Sequence, residues 1–246
     1  MKAMTRLAII TICYNDRPGL ERTFASVFGQ TIRDFEYIVV DGGSTDGSVD
    51  LIKAHAPRLT HWTSEPDRGI YDAQNKGCYM ATAPFVLFMN AGDTFAAPDV
   101  LERAIPMLTD TVDILYGDAQ LADERGVYGA KPHPHRLTSA WLMKETVAHQ
   151  SQFIRRSLLE KAEGYDLGYP IAADYAFLAR MFWRERIRTR HAGFAISVFD
   201  TTGLSSDPAG KRRSAAERKA IQRNFAPRGW YFLYHAWAAF NRLIGR

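Results

Sequence analysis

The chain has 246 residues, of which 46% are apolar and 24% charged, so it is long enough for one large α/β domain with a short appendage. Its net charge of +4 is unevenly distributed, because residues 1–210 carry a net charge of −4 and residues 211–246 a net charge of +8. The basic character therefore belongs to a C-terminal tail, and no recognisable nucleic-acid-binding module accompanies it.

Two cysteines and short apolar runs limit the compartments to be considered. Cys13 falls in a predicted strand and Cys78 in a predicted helix, so they indicate neither a disulfide framework nor a metal site, and a reducing cytosol is expected. The apolar run at residues 7–13 leads into polar residues without a cleavage site, which predicts a first strand rather than a signal peptide. No stretch approaches the roughly 18 apolar residues of a membrane-spanning helix, so we expect a soluble body.

Strands and helices alternate through the first half of the chain. Apolar runs predict strands at residues 7–14, 35–40, 59–63, from 85 to the turn before 93, and 113–116, with helices between them. This alternation is typical of an α/β fold with a mostly parallel sheet. The turn at residues 15–19 lacks the Gly-x-Gly-x-x-Gly pattern of nicotinamide and flavin sites, which disfavours a dinucleotide-binding Rossmann protein.

The second predicted strand ends in an acidic, glycine-rich turn. Gly42 and Gly43 would let a ligand approach the backbone, and Asp41 at the carboxyl end of the strand is a candidate nucleotide contact. The alternative is a tight turn followed by an N-cap at Ser44 or Asp46, because these residue types fill that role in many helices. The sequence alone leaves both interpretations open.

A cluster of charges surrounds the start of the third predicted helix, near Ile70. Arg68 and Lys76 are candidates for binding a diphosphate, and Asp67 for contacting a base or ribose, provided that these side chains converge on one cleft. Ordinary surface charge is the alternative.

The fourth predicted strand delivers Asp93 to the edge of the sheet where ligands bind in α/β proteins. A carboxylate on a tight turn there can hold Mg²⁺ or Mn²⁺ against a diphosphate, because these ions prefer oxygen ligands and share few protein carboxylates with the phosphates. The alternative is that Asp93 caps the helix predicted at residues 98–108.

The pattern changes after residue 120. Glycines and prolines predict a loop at residues 131–136 that is mobile or faces the acceptor, with His133 and His135 solvated. A short strand entering a helix is predicted at residues 149–156, a second helix from about residue 171, and a last strand at 192–199. Asp174 falls in the first turn of the second helix, where the helix dipole stabilises a carboxylate and from where it can also point at a cleft.

The tail mixes aromatic residues with arginine, which predicts a basic amphipathic helix. Such a helix suits a membrane surface, because basic residues near an anionic leaflet add about 1 kcal/mol each. Docking of the tail on the body is the alternative.

Five segments, in this order and spacing, carry a family resemblance: Thr11-Ile12-Cys13-Tyr14-Asn15, residues 40–48, residues 65–77, Asn90-Ala91-Gly92-Asp93 and Ala173-Asp174. Together they resemble the family-2 glycosyltransferases, inverting enzymes of the GT-A fold that use nucleotide-activated sugars, and in particular the bacterial exopolysaccharide and colanic-acid type. The resemblance covers about residues 6–205.

The resemblance implies an architecture and a set of roles. A GT-A domain with a Rossmann-like, mostly parallel sheet flanked by helices would occupy residues 1–207, its nucleotide-sugar half at about 1–118 and its acceptor half at about 119–207, with the basic tail at 208–246. Asp174 would be the general base, and Asp93 the last acid of an Asp-x-Asp-like motif that holds Mg²⁺ or Mn²⁺. Asn90 and Gly92 stand where many members have acids, and Ala173 replaces an acid beside the base. Donor contacts are expected from Tyr14, Asn15, Asp41, Asp67, Arg68, Lys76 and Asn90.

The implied activity is transfer of a sugar from a UDP- or GDP-linked donor to a hydroxyl of a saccharide acceptor in cell-surface polysaccharide biosynthesis. If the tail lies on a membrane, we expect a lipid-linked acceptor and a peripheral location at the inner face of the cell membrane. Two other classes remain open: a nucleotidyltransferase, which would be expected to carry a Gly-rich basic loop directly after the first strand, and a non-catalytic nucleotide-sugar-binding protein.

Overall fold

The computed structural model describes residues 5–201 and 208–243. The strands in these ranges are β1 (Leu7–Cys13), β2 (Glu36–Asp41), β3 (His61–Ser64), β4 (Phe85–Phe88), β5 (Thr94–Phe95), β6 (Ile114–Asp123), β7 (Gly126–Lys131), β8 (Gln152–Arg155) and β9 (Thr189–Asp200). The helices are α1 (Arg17–Phe28), α2 (Ser48–His55), α3 (Ile70–Met80), α4 (Val100–Ala104), α5 (Ser139–Leu142), α6 (Arg156–Ala162), α7 (Ala173–Arg180), α8 (Pro208–Phe225) and α9 (Arg228–Leu243).

The strands form one sheet in the order β3-β2-β1-β4-β8-β6-β9-β5. β7 lies outside this order and pairs with β6. The first four strands are parallel, β8 is antiparallel to both of its neighbours, and β6 and β9 are parallel. The order reverses at β1, because β2 lies on one side of it and β4 on the other. The predicted α/β fold, with a parallel first half, is therefore confirmed, and the crevice at the carboxyl ends of β1 and β4 is the expected ligand position.

Every residue of β1 is buried, because helices cover both faces of the sheet. Alternate residues of β1 belong to two apolar layers. One layer joins Leu7 and Ile9 to Leu20, Phe24 and Val27 of α1. The other joins Ala8, Ile10 and Ile12 to α3 and α7, through Ala73, Cys78, Phe177 and Leu178.

The second half of the body is more ordered than the sequence pattern predicts. β6 continues to Asp123 and forms a hairpin with β7, whereas the strand was expected to end at residue 116. His133 is 5% exposed: its backbone N–H donates to Asp118 Oδ1 over 2.7 Å, and its Nδ1 donates to the Gly117 carbonyl over 2.8 Å. Burial lowers the pKa of His133 to about 4. The prediction of a solvated histidine is wrong for His133, because its imidazole is buried and hydrogen-bonded to the backbone of Gly117. His135 is exposed, as predicted.

The predicted helix at residues 98–108 is also shorter in the structure. α4 has five residues and is followed by a 3₁₀ turn at Ile105–Met107. Pro106 lacks the N–H that an α-helical hydrogen bond requires, which favours this tighter turn.

The two helices of the tail behave differently. Ile221 of α8 is fully buried, and Glu217 Oε2 accepts hydrogen bonds from the backbone N–H groups of Ile171 and Ala172 just before α7. In α9, by contrast, Trp230 and Leu233 are exposed, the latter by 69%. No helix among the described residues is long and apolar enough to cross a bilayer. The proposed division into domains stays a prediction.

The packing of α3 on β1 leads to a stability prediction at Gly77. A Cβ at this position would lie 2.4 Å from Ile10 Cγ2, whereas a Cβ on Gly229 in α9 would meet no atom within 4 Å. We expect Gly77→Ala to destabilise the fold by about 1–3 kcal/mol, because overpacking outweighs the better helix propensity of alanine. Gly229→Ala is the control and should be neutral or stabilising. Urea unfolding measures both, and an unchanged midpoint for Gly77→Ala would contradict this packing.

Candidate active site

A cleft of about 440 Å³ opens beyond the carboxyl ends of β1, β2 and β3. Its walls come from the turns that follow these strands, so residues far apart in the sequence meet there. The lining residues are Tyr14, Gly42, Gly43, Pro66, Asp67 and Gly69. Of the predicted donor contacts, Tyr14 and Asp67 face this cleft, and the Tyr14 side chain is exposed at its edge.

Asp41 holds the turn that forms one wall of the cleft. Its Oδ2 accepts hydrogen bonds from Gly43 N, Ser44 N and Ser64 Oγ, and its Oδ1 accepts one from Ser44 Oγ over 2.5 Å. The carboxylate is fully buried. A direct contact between Asp41 and a nucleotide therefore stays a prediction, whereas its bonds show that it shapes the glycine turn.

The absence of a side chain at Gly42 makes room for Asp67. A Cβ on Gly42 would lie 2.5 Å from Asp67 Oδ2, so no other residue fits without moving this carboxylate. Asp67 Oδ1 accepts a hydrogen bond from Gly69 N over 2.8 Å, just before α3. The position of the Asp67 carboxylate therefore requires a glycine at position 42.

Asn15 joins the turns after β1 and β2. Its Oδ1 accepts a hydrogen bond from Thr45 N over 2.8 Å, and its own N–H donates to Ser44 Oγ over 2.7 Å. The backbone of Asn15 is left-handed, with φ of 49°, a conformation that asparagine tolerates better than most residues. Asn15 therefore keeps Tyr14 at the mouth of the cleft.

Arg68 and Lys76 are paired within the protein. The Arg68 guanidinium donates to Asp72 Oδ1 over 2.7 Å, and Lys76 Nζ lies 2.9 Å from Glu65 Oε1. The hydrogen bond from Arg68 is the main cause that lowers the pKa of Asp72. The Arg68 side chain is still 77% exposed, so it can reorient. Their role in binding a diphosphate stays a prediction that requires exchange of these pairs.

Asp93 is 4% exposed and lies at the end of the turn between β4 and β5. Its Oδ1 accepts hydrogen bonds from Gln150 Nε2 over 3.2 Å and from Asp200 N over 3.1 Å, whereas its Oδ2 accepts none from the described residues. Burial, with a contribution from the charge of Asp200, raises the pKa of Asp93 to about 7. Asp93 does not cap α4, so the capping alternative is wrong.

Asp174 lies at the start of α7, with one oxygen engaged and the other open. Its Oδ1 accepts a hydrogen bond from Tyr175 N over 2.7 Å and a second one from Tyr71 Oη over 3.0 Å, whose single proton is shared with the Ile171 carbonyl at 2.8 Å. Its Oδ2 accepts none from the described residues and lies 3.8 Å from His149 Nδ1. Burial, followed by the charge of Asp174, raises the pKa of the Tyr71 phenol well above its usual value, so the phenol stays a donor.

His149 and Gln150 were not predicted as site residues. Gln150 contacts Asp93, while His149 lies between Asn90 and Asp174, with its Nε2 3.1 Å from Asn90 Nδ2. A sequence signal existed: residues 149–152 are four polar residues directly before the apolar pair Phe153-Ile154, and Gln150, Ser151 and Gln152 prove to be buried.

The chain belongs to glycosyl transferase family 2, whose model matches residues 8–189. It is 36% identical over 212 residues to an uncharacterized glycosyltransferase of Mycobacterium tuberculosis, covering 84% of this chain and 79% of the relative. It is 31% identical over 206 residues to a PGL/p-HBAD biosynthesis glycosyltransferase of Mycobacterium bovis, covering 82% of this chain and 79% of the relative. A UDP-Glc:alpha-D-GlcNAc-diphosphoundecaprenol beta-1,3-glucosyltransferase of Escherichia coli is 24% identical, over 56% of this chain and 55% of the relative.

Solved structures share the fold. TarS of S. aureus in complex with UDP superposes with a TM-score of 0.67 at 18% identity, covering 89% of this chain and 70% of TarS. The mannosyltransferase PcManGT of Pyrobaculum calidifontis, in complex with GDP-Man and Mn²⁺, gives a TM-score of 0.63 at 18% identity, covering 96% and 80%. Family and fold together establish a glycosyltransferase with a GT-A-like fold. They give no support to a nucleotidyltransferase or to a non-catalytic nucleotide-sugar-binding protein.

The raised pKa of Asp93 predicts how stability depends on pH. An unfolded aspartate loses its proton near pH 4, whereas Asp93 in the fold keeps it until about pH 7. The unfolded state therefore gains stability relative to the fold as the pH rises between these values. Asp93→Asn does not titrate and can still accept the bonds from Gln150 and Asp200, so its stability relative to the parent protein should increase from pH 4.5 to pH 8. Urea unfolding at both pH values tests this, and a constant difference would refute it.

Proposed function

We propose that this protein transfers a sugar from a nucleoside-diphosphate sugar to a hydroxyl of a saccharide acceptor with inversion, using Asp174 as the general base. The observation that carries the proposal is the asymmetry of the Asp174 carboxylate. Oδ1 accepts the backbone N–H of Tyr175 and shares the Tyr71 proton with the Ile171 carbonyl, whereas Oδ2 accepts no hydrogen bond from the described residues. A fixed carboxylate with one open oxygen can accept a proton from an attacking hydroxyl.

The donor nucleotide is proposed to occupy the cleft between Tyr14 and Asp67. The exposed ring of Tyr14 offers a stacking surface for a base, and the open Oδ2 edge of Asp67 offers an acceptor for a ribose or base N–H or O–H group. The UDP of TarS and the GDP-Man of PcManGT, in proteins of the same fold, support a UDP- or GDP-linked donor. Asn15 and Asp41 would act by holding the two turns.

Asp93 fits a divalent cation that it shares with the donor. Its Oδ2 is a hard oxygen that accepts no hydrogen bond from the described residues. The described ranges contain no group of three or more His, Cys, Asp or Glu residues that could hold a metal ion, so the donor would have to supply further ligands. A site with few protein ligands suits Mg²⁺ or Mn²⁺ completed by phosphate oxygens. When bound, the ion would offset the charge of the leaving diphosphate. Mn²⁺ in the PcManGT complex supports this assignment.

The reaction follows from the open oxygen of Asp174. The acceptor hydroxyl gives its proton to Oδ2 while its oxygen forms a bond to the anomeric carbon, and the bond from that carbon to the diphosphate oxygen breaks on the opposite face. No covalent sugar–enzyme intermediate is needed. Arg68 and Lys76 both lie within ion-pair distance of Asp72 and would bind the diphosphate after exchanging their present carboxylate partners.

The acceptor is proposed to be lipid-linked and the enzyme to lie at the inner face of the cell membrane, in the synthesis of a cell-surface polysaccharide of the exopolysaccharide type. The E. coli relative named for a diphosphoundecaprenol acceptor supports this. On α9, Trp230, Leu233 and Trp237 follow the spacing of one helix face, and all are exposed. The ammonium of Lys144 lies 4.4 Å from the ring centroid of Trp237, which adds positive charge beside this apolar face.

Asp174→Asn tests the base. Asparagine still accepts the bonds from Tyr71 and Tyr175, so the fold and nucleotide binding should be preserved, whereas sugar transfer should fall about 100-fold or more because the proton acceptor is lost. Transfer is measured by release of nucleoside diphosphate with acceptor present. Asp50→Asn, on the exposed side of α2, is the control and should transfer sugar at the parent rate.

Donor binding is measured in the same variants by thermal shift with UDP, GDP and their sugars, each with Mg²⁺ or Mn²⁺. One nucleotide should raise the melting temperature of both the parent and Asp174→Asn, and Asp93→Ala should lose the metal-dependent part of the rise. Normal transfer by Asp174→Asn would show that another group is the base, and no shift with any nucleotide would refute the donor assignment.

The exposed face of α9 predicts binding to anionic vesicles. Leu233→Asp places a charge in the apolar face, so affinity for vesicles with phosphatidylglycerol should fall about tenfold or more, since burial of a leucine contributes about 1.5–3 kcal/mol. Val127→Ser removes a similarly exposed apolar residue from β7 and should not change binding. Vesicle flotation reads both, and equal binding to neutral phosphatidylcholine vesicles, or no binding at all, would contradict the membrane role of α9.

A further inference from the structure

Three polar contacts connect the turn after β4 to Asp174. Gln74 Nε2 donates to Asn90 Oδ1 over 3.0 Å, Asn90 Nδ2 lies 3.1 Å from His149 Nε2, and His149 Nδ1 lies 3.8 Å from Asp174 Oδ2. The side chains of His149 and Asp174 are 18% and 15% exposed, so water screens this series of groups only weakly.

The direction of each contact follows from the chemistry of its groups. In the amide orientations of the structure, Gln74 Nε2 donates to Asn90 Oδ1, buried Gln74 Oε1 has no hydrogen-bond partner among the described residues, and the Asn90 NH₂ group, which can only donate, faces the imidazole. With these orientations His149 Nε2 accepts, which puts the ring proton of the neutral imidazole on Nδ1, the nitrogen that faces Asp174. Burial lowers the pKa of His149, which favours the neutral ring.

We propose that Asn90 and His149 are positioning residues for the general base: Asn90 selects the tautomer of His149 that directs its Nδ1–H at the open oxygen of Asp174. This inference rests on the proposed function of Asp174. The 3.8 Å separation is longer than a hydrogen bond, so in this conformation the N–H acts through its dipole, and such contacts often shorten when substrate binds. The imidazole thereby favours the ionised carboxylate without placing a full positive charge beside it.

In this chain, where Asn90 lies beside His149, an amide at position 90 acts differently from a carboxylate. An aspartate there would put one carboxylate beside Nε2 while Asp174 lies beside Nδ1, and an imidazole between two carboxylates is stabilised as the doubly protonated cation. That cation would hold Asp174 in its ionised form and weaken it as a proton acceptor. An amide supplies the same contact without the charge.

Other charged and titratable groups also face this pair. The ammonium of Lys131, on β7, acts on both Asp174 and His149, and burial lowers its pKa. The phenol of Tyr71 donates to Asp174 Oδ1, and the phenol of Tyr165 lies within the field of the same carboxylate. Variants at Asn90 and His149 leave these three groups in place, so a change in the pH profile can be assigned to the imidazole.

The direct test is the tautomer of His149, read from two-bond ¹H–¹⁵N spectra of the full chain without substrate. The His149 signals are assigned by their loss in His149→Gln. We expect a proton on Nδ1 and none on Nε2 in the parent protein, and both nitrogens protonated in Asn90→Asp. A proton on Nε2 alone in the parent would overturn the proposal, and this measurement does not depend on any enzymatic activity.

Paired variants test the consequence for the base. Asparagine at position 149 carries an N–H near the place of Nδ1, whereas glutamine carries one near the place of Nε2. His149→Asn should therefore retain most of kcat, while His149→Gln should lose about tenfold, a fraction of the 10²–10⁴ that general-base catalysis contributes. In His149→Gln the acid limb of the profile of kcat/KM against pH should move to higher pH, because a donor to the ionised carboxylate is missing.

Asn90→Asp should move the acid limb in the opposite direction, to lower pH by about one unit, with a lower plateau, because the imidazolium stabilises the ionised form of Asp174. The control is Asn224→Asp, on the exposed side of α8, which should leave the profile unchanged. Equal losses in His149→Asn and His149→Gln without a shift of the limb would indicate a packing role and overturn the proposal. If no donor supports transfer, the proposed function fails, while the tautomer result still decides whether Asn90 sets the proton position.

Discussion

The site depends on the position of β1 between β2 and β4. Backbone hydrogen bonds extend this pairing past the ends of the strands: Gly42 N donates to the Cys13 carbonyl and Ala91 N donates to the Ile12 carbonyl, each over 2.9 Å. The end of one buried strand therefore fixes the turns on both of its sides. The turn after β2 forms the wall of the cleft, and the turn after β4 carries Asn90 and leads to Asp93.

The buried Asp41 and Asp93 and the partly buried Asp174 differ in how their oxygens are used, and that difference suggests a different role for each. Both oxygens of Asp41 accept hydrogen bonds from the turn that it organises. Asp93 and Asp174 each have one oxygen held by the protein and one that accepts no hydrogen bond from the described residues. A carboxylate oxygen without a hydrogen bond from the protein is more available to a metal ion or a proton, so the bonds of Asp41 favour a structural role and those of the other two favour chemistry.

The antiparallel part of the sheet completes the site. β8 pairs with β4, and the 3₁₀ turn just before β8 brings His149 beside Asn90 and Gln150 beside Asp93. α7 then brings Asp174 to His149, and α8 fixes the chain before α7 through Glu217. The contribution of the tail to the site is thus structural, through Glu217 of α8.

The motif residues at the strand ends could be predicted because parallel strands place their carboxyl ends at one edge, so Asp41, Asp67 and Asp93 were expected at the same edge of the sheet. Their spacing along that edge depends on the strand order β3-β2-β1-β4, which only the structure shows. The pairing of Arg68 with Asp72 could not be predicted, since it depends on rotamers of exposed side chains. Nor could the burial of His133, because Pro132 and Pro134 beside it indicate a loop whether the imidazole points outward or inward.

The sequence by itself determined the α/β alternation, the family and the identity of the acidic residues, because apolar periodicity and short motifs are local properties of the chain. Tertiary structure decided which oxygen of each acid is open, that Gly42 must lack a side chain opposite Asp67, and that His149 lies between Asn90 and Asp174. The last two are contacts between residues 25 to 59 positions apart, and their geometry depends on how distant elements pack together, which no local pattern encodes.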